Sequence, residues 1–398
     1  MTDAPADISP VVSAGWRGAV ATRIRAYGQP PRIVGVDVAR GLAVLGMFGA
    51  HVGVTEAFDW SQPATWLDVV NGRSSILFAV LAGVSIAIIA GGFRPVSGTD
   101  LLRARIRIFT RAVIIFALGG LLEFLGTAVA VILPVYAVLF VLALPFLRWR
   151  PRRLFLLAGV LAIVSPVLHL LLQPFFSVGG ESAAGDLLIG GHYPAMIWIV
   201  FVLVGIGVGR LDLTSGRVRW RLVAAGVLLA VIGYGAGTFA AQAVGVSPGQ
   251  DGGASAAAFA WDDSPIVDSA AADADLSPLA TTAPHSGSPF EVIGSTGVAL
   301  LILGVSLLVP RRLRWPLYPV AAVGAMALTA YSVHIFAIAL IGPDATAGGF
   351  PWLFLTFVLV ALVGCSVWTL LVGRGPLERF LTTISSRAAG KGAPRLRR

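Results

Sequence analysis

The chain has 398 residues, of which 57% are hydrophobic and 12% charged, with a formal net charge of +9. That composition excludes a soluble globular domain, whose surface cannot keep so many apolar side chains out of water. Nor does the positive charge indicate nucleic acid, because it falls in short basic clusters between apolar segments, as in the cytoplasmic loops of membrane proteins.

Residues 1–32 are polar and arginine-bearing without an apolar core, so they read as a cytoplasmic N-terminal segment and not as a cleavable signal. A bilayer core about 30 Å thick takes roughly 20 apolar residues in a helix. That window predicts ten spans, near 33–54, 74–92, 107–126, 128–147, 153–175, 193–210, 221–244, 291–309, 317–341 and 352–373. The expected fold is an all-α polytopic bundle. The third and fourth spans meet at Gly126-Thr127, which predicts a tight helical hairpin.

Loop charge sets the orientation. Arg17, Arg23, Arg25 and Arg32 precede span one; Arg94, Arg103, Arg105 and Arg107 follow span two; Arg148, Arg150, Arg152 and Arg153 follow span four. Arg210, Arg217, Arg219 and Arg221 follow span six, Arg311, Arg312 and Arg314 follow span eight, and a basic tail occupies 374–398. With both termini inside, every cluster is cytoplasmic, as expected of a multi-pass protein of the plasma or inner membrane. The segment 246–290, rich in Ala, Ser, Asp, Pro and Gly, reads as a flexible extracytoplasmic loop. It separates a seven-span block, 33–245, from a three-span block, 291–373. No internal repeat is evident, so the inverted-repeat pattern of many transporters is not supported. The single cysteine, Cys365, excludes an intrachain disulfide or a cysteine metal cluster, and with no His-Glu-x-x-His motif no metal site is expected.

Ionisable groups inside spans are costly and need partners or a wet cavity. In span one, Asp37, Arg40, Gly41, Val44, Phe48 and His51 share one helical stripe, which must face protein or water. Asp37 and Arg40, three residues apart, can pair. At about 1.5 Å per residue, His51 lies roughly 21 Å from Asp37, so the two mark opposite ends of one path and form no dyad. His334 in span nine, three residues after Tyr331, falls at the depth of His51, as do Glu123 at the end of span three and Asn71 and Arg73 at the start of span two. Together they outline a polar external pocket in which a neutral His51 or His334 serves as general base. Equally open is a structural reading, with Asp37–Arg40 as a locking ion pair and His334 as a helix-to-helix hydrogen-bonding residue. His169, His192, His285, Glu181 and Asp186 carry less weight.

The string from Arg32 through Asp37, Arg40 and Gly41 to His51 resembles the opening motif of the heparan-alpha-glucosaminide N-acetyltransferase family and its bacterial relatives, within the transmembrane acyltransferase group. Asn71 to Ser85, with Gly83, looks like that family's second-span motif, and Gly324 to His334, with Tyr331, looks like its penultimate-span motif. The resemblance implies an acyl-CoA such as acetyl-CoA, engaged as co-substrate from the cytoplasm, with no bound cofactor. It also implies an acceptor modified outside, with Asp37 and Arg40 organising the inner end. One departure stands out: the family places a functional histidine between spans one and two, whereas residues 55–70 here hold Glu56, Asp59 and Asp68 and no histidine. Either His51 takes that part or the chemistry differs.

The resulting expectation is an acyltransferase acting on an envelope glycan or lipid, with His51, His334 and Glu123 as catalytic candidates and Asp37, Arg40, Asn71, Arg73 and Tyr331 as binding candidates. Membrane lipids are its surroundings, and a homo-oligomer is compatible with the sequence. The alternatives are a small-molecule transporter or exporter using the same stripe, and a non-catalytic envelope scaffold.

Overall fold

The computed structural model describes residues 16–27, 32–53, 58–177, 183–245, 276–346 and 351–390. Most of the predicted outer loop, parts of both terminal segments, Glu56 and Glu181 lie outside the described residues. Helices dominate, and no strand occurs among the described residues. In chain order they are α1 Trp16–Ala26, α2 Val34–Val52, α3 Arg73–Ile89, α4 Gly98–Glu123, α5 Leu133–Leu142, α6 Pro151–Ser177, α7 Ala183–Leu188, α8 Ala195–Gly209 and α9 Gly216–Val244. After the outer segment come α10 Pro289–Leu308, α11 Tyr318–Ala325, α12 Ala327–Ile341, α13 Pro351–Leu371 and α14 Pro376–Ala388. Several begin at proline, whose missing N–H costs nothing in a first turn.

Each of the ten predicted segments coincides with helix, but they are not equivalent. Six helices are long and apolar enough to cross a membrane: α2, the stretch Thr65–Ile89 that ends in α3, α6, α9, α10 and α13. A seventh is the pair α11 and α12, bent by 83° at Met326. Helices α5 and α8 are apolar but shorter, and α4 carries arginines through its first half. Residues 124–132, and not Gly126-Thr127 alone, connect α4 to α5. The chain is an all-helical membrane protein.

Glycines set the helix contacts. Gly83 on α3 and Gly205 on α8 face each other so closely that a Cβ on either would meet the other's Cα at 2.9 Å. Gly226 and Gly233 on α9 interlock with Gly297 and Gly294 on α10, and Gly41 on α2 lies against the Val320 carbonyl of α11. Such small-residue seams bring backbones into van der Waals contact where lipid tails offer no hydrophobic drive. Helices α2, α3, α8 and α10 occupy the interior. Helices α6, α9 and α13 turn large apolar side chains outward, such as Leu156, Val231 and Val360, as lipid-facing helices do. One continuous apolar core includes residues from both sides of the outer segment, so the two predicted blocks pack as a single bundle.

Two polar devices hold this bundle. Arg210, at the end of α8 and only 3% exposed, donates to the carbonyls of Ala87 and Ala90 (3.3 Å each), Gly92 (2.6 Å) and Leu147. These are carbonyls at or just beyond helix ends, short of intrahelical donors, and the cation also suits the negative end of the helix dipole. The break between α11 and α12 is capped on both sides. Arg40 donates to the Gly324 carbonyl at 3.3 Å, and Glu378 on α14 accepts from Thr329 N (3.0 Å) and Thr329 Oγ1 (2.6 Å). A cation at the C-terminal half and a carboxylate at the N-terminal half match the dipoles they face.

Candidate functional site

The stripe of α2 faces protein along its whole length. At its basic end Asp37 accepts from Arg32 Nε (2.6 Å) and Arg40 (3.4 Å), and Arg40 reaches Ser85 Oγ on α3 at 3.0 Å. The predicted pair therefore forms, extended by a second arginine. Arg111 on α4 joins the same end: it donates to Ser385 Oγ (3.3 Å) and Thr382 Oγ1 (3.4 Å) on α14, with Arg107, Arg374 and Arg40 as like-charged neighbours. The Nε of Arg107 is buried without a hydrogen-bond partner among the described residues. In the middle of the stripe Val44 and Phe48 are 0% and 1% exposed. The continuous path expected along α2 is therefore closed at mid-depth by packed apolar side chains.

At the other end α2 delivers His51 to His334 on α12. His51 Nδ1 lies 2.8 Å from His334 Nε2, with ring centroids 5.1 Å apart and planes within 10°, as two coplanar rings joined edge to edge require. His334 Nδ1 lies 2.5 Å from the Tyr331 carbonyl, a pure acceptor. That contact fixes the tautomers: Nδ1–H of His334 donates to the carbonyl, its Nε2 accepts from Nδ1–H of His51, and Nε2 of His51 keeps a free lone pair. His334 is 2% exposed and packs against Phe48 and Phe357. The arrangement follows the logic of a catalytic triad, with a carbonyl orienting one imidazole and that imidazole orienting the base.

The remaining candidates separate. Tyr331 lies beside both histidines, and its hydroxyl accepts from Ile132 N at 3.4 Å. Arg73 turns to α9, donating to Tyr234 OH at 2.9 Å with its guanidinium 5.0 Å from that ring, and Tyr234 OH lies 2.8 Å from Ser295 Oγ. Asn71 donates to Asp68 at 3.4 Å in the turn before α3. Glu123 is exposed at the end of α4, its carboxylate makes no hydrogen bond among the described residues, and it acts on Tyr331 only through its charge.

Three residues given little or no weight in the sequence reading belong to this end. His285 and His192 bring their rings to 4.3 Å, with Tyr193 at 5.5 Å from His285, and His51 is close enough to act on His285 electrostatically. Burial holds the His192 imidazole below its usual range and pushes His285 down to about 3, with His192 and His51 adding to the shift. Glu291, in the first turn of α10, accepts from His285 N and Gly287 N at 2.7 Å each and from Ser286 Oγ at 3.2 Å. Ser288 caps the same helix, with Glu291 N donating to its Oγ at 3.0 Å. The Ser288-x-x-Glu291 spacing is the capping-box signature, a signal present in the sequence. No group of three or more His, Cys, Asp or Glu suited to a metal ion occurs among the described residues.

A family model described as an acyltransferase domain matches residues 132–371, more than half of the chain. No curated protein matches it.

Proposed function

This chain is a member of that acyltransferase family, and we propose on this basis that it moves an acyl group from a cytoplasmic acyl-CoA to an extracytoplasmic glycan or lipid. The observation that carries the reading is the His51–His334–Tyr331 chain, which leaves one imidazole nitrogen unprotonated and oriented. In the proposed step, His51 Nε2 takes the proton of an acceptor hydroxyl or amine. Once the donor's thioester has been carried past the packed Val44 and Phe48 to this end, the acceptor oxygen or nitrogen bonds to its carbonyl carbon, the carbon–sulfur bond breaks, and the departing thiolate recovers the proton.

The basic end, taken as cytoplasmic with both termini, suits the donor. Arg40, Arg107, Arg111 and Arg374 lie near one another with Asp37 as the carboxylate paired to Arg40, leaving positive charge for phosphate groups. Within the wider group, the span-one motif favours the heparan-alpha-glucosaminide N-acetyltransferase-like branch. The packed middle of α2 closes a path along that helix to a transported solute and to an acyl donor alike, so it is the family match, and not this packing, that favours transfer over transport.

The test is purified protein in proteoliposomes with acetyl-CoA inside and an envelope glycan extract outside, following thiol release. Wild type is expected to release thiol in an acceptor-dependent way, and His51→Ala to lose about 10²- to 10⁴-fold, the usual contribution of a general base. Full activity in folded His51→Ala would remove the proposed base. Wild type that neither consumes acetyl-CoA nor is stabilised by it would remove the acyltransferase reading itself.

A further inference from the structure

The residues just before α10 form a built feature that the mechanism above leaves unused. His285 has φ of 64°, the only non-glycine residue at positive φ among the described residues. Such a conformation is uncommon away from glycine and persists where the surroundings enforce it. Here the enforcement is explicit. Glu291 collects the N–H groups of His285 and Gly287 and the hydroxyl of Ser286, while Ser288 caps α10 and donates to the Thr281 carbonyl at 2.5 Å. Pro284 abuts Gly72 at the start of α3, and Gly287 abuts Ile197 on α8. A loop tied down at this many points holds its one ring in a fixed place.

That place is the histidine end of the bundle. The imidazole lies against His192 and Tyr193, with His51 near enough to act on it. Its Nδ1 is buried with no hydrogen-bond partner among the described residues. Both oxygens of Glu291, the carboxylate nearest in the chain, are committed to the loop and so do not serve the ring. An unpaired ring nitrogen in a strained, tightly anchored segment calls for an explanation beyond folding, and a ligand is one that fits.

We propose that His285 is the acceptor-positioning residue of the site: its ring nitrogen hydrogen-bonds the nucleophilic hydroxyl or amine and holds it against Nε2 of His51. The inference rests on the acyltransferase reading for the identity of the ligand, and the nearness of His285 to His51 rests on the packing that ties this loop to the same end of α2, where Pro284 abuts Gly72 and Val70 lies against Gly49. A hydroxyl gives its one proton to His51 and so pairs with His285 by accepting from a protonated ring nitrogen, whereas an amine, with a second hydrogen, can pair with either tautomer. Two imidazoles then fix the acceptor's orientation, and no ordered chain segment has to close over it.

The experiment exploits the five histidines of the chain. Full-length protein labelled with 15N-histidine in nanodiscs is titrated with glucosamine, a probe carrying both hydroxyl and amine groups, and ring signals are assigned from single variants. His285 and His51 are expected to shift together, while His169 in α6 does not. His285→Gly, which removes the ring at a position glycine tolerates, is expected to abolish the shift at His51 and to raise the glucosamine KM about tenfold or more, with the acetyl-CoA KM unchanged. His285→Asn, which also tolerates this backbone, should recover part of the loss. A His51 shift that survives in His285→Gly, or no histidine shift at all, overturns the proposal, as does an unchanged acceptor KM. Wild type that shows the paired shift but never consumes acetyl-CoA overturns the acyltransferase reading and leaves the binding role of His285 standing.

Discussion

In the proposed step His334 touches no substrate and acts only through its hydrogen bond to His51. His334→Leu removes the nitrogen that accepts from His51 and leaves an apolar side chain that Phe48 and Phe357 can pack against. In the resting enzyme the 2.8 Å contact joins two neutral rings, but once His51 holds the acceptor proton it becomes charge-assisted. A neutral hydrogen bond contributes about 0.5–1.5 kcal/mol and a charged one about 1.5–3 kcal/mol, so roughly 1–2 kcal/mol is realised only on the way to the transition state. That difference is a factor of about 5 to 30 in kcat. Losing the orientation of His51 adds to it, for a total expected fall of roughly 10- to 100-fold. The assay is steady-state acyl transfer in proteoliposomes, with acetyl-CoA and acceptor varied separately and folding checked by thermal melting. The fall should appear in kcat with the acetyl-CoA KM unchanged, and His334→Gln, which can still accept a hydrogen bond, should lose less. A well-folded His334→Leu protein with kcat within about twofold of wild type would refute the orienting role, because the extra stabilisation of a charged hydrogen bond could not then be in use.

Two further outcomes follow from the same structure. A Cβ at Gly324 would meet Gly41 N at 2.6 Å and collide with the Asp37 carbonyl, so Gly324→Ala should push α11 away from α2 and weaken the Arg40–Gly324 bond. Overpacking of this kind costs about 1–3 kcal/mol, which should lower the melting temperature in detergent, and an unchanged melt would show that the seam is soft. Acidification should destabilise the loop that carries His285. Its imidazole is held at about 3 in the folded chain against about 6.5 when unfolded, so between those values the unfolded chain binds the extra proton and stability falls as pH falls. The contribution is complete above about pH 6.5 and shrinks by at most about 1.4 kcal/mol per unit below it, so His285→Asn should melt with a shallower pH dependence between 7.5 and 5.5. Equal slopes for the two proteins would refute it.

What the sequence made legible were the features that repeat along one helix. Apolar runs located the helices, and the stripe of α2 correctly placed Asp37 beside Arg40 and His51 at the opposite end. Residue counting put His51 and His334 at one level, where they meet, but it put Glu123, Asn71 and Arg73 there too, and Asn71 and Arg73 turn to other partners. Contacts made by irregular chain did not follow from counting. His192 and His285 are brought together by two loops whose path no periodicity records, and Glu291 reads as a first-turn acidic residue until its capping partner Ser288 is noticed. Arg210 was legible as one charge of a basic cluster, but not as a buried one: its guanidinium lies among backbone carbonyls, which residue counting does not show. The bend at Met326 was equally hidden, since Tyr318 to Ile341 is continuously apolar and contains no proline after Pro319.

The carbonyls gathered by Arg210 belong to the last turn of α3 and the residues just after it, and to the short helical turn that follows α5, while the cation itself ends α8. One guanidinium thus fastens α3, α5 and α8 at a common node. The candidate site lies largely off that node, on α2 and the angled pair α11 and α12, and is tied back to α3 through Arg40 and Ser85. Those parts bring together both imidazoles and the Asp37–Arg40 pair, so the candidate site sits on helices that the arginine node does not itself fasten.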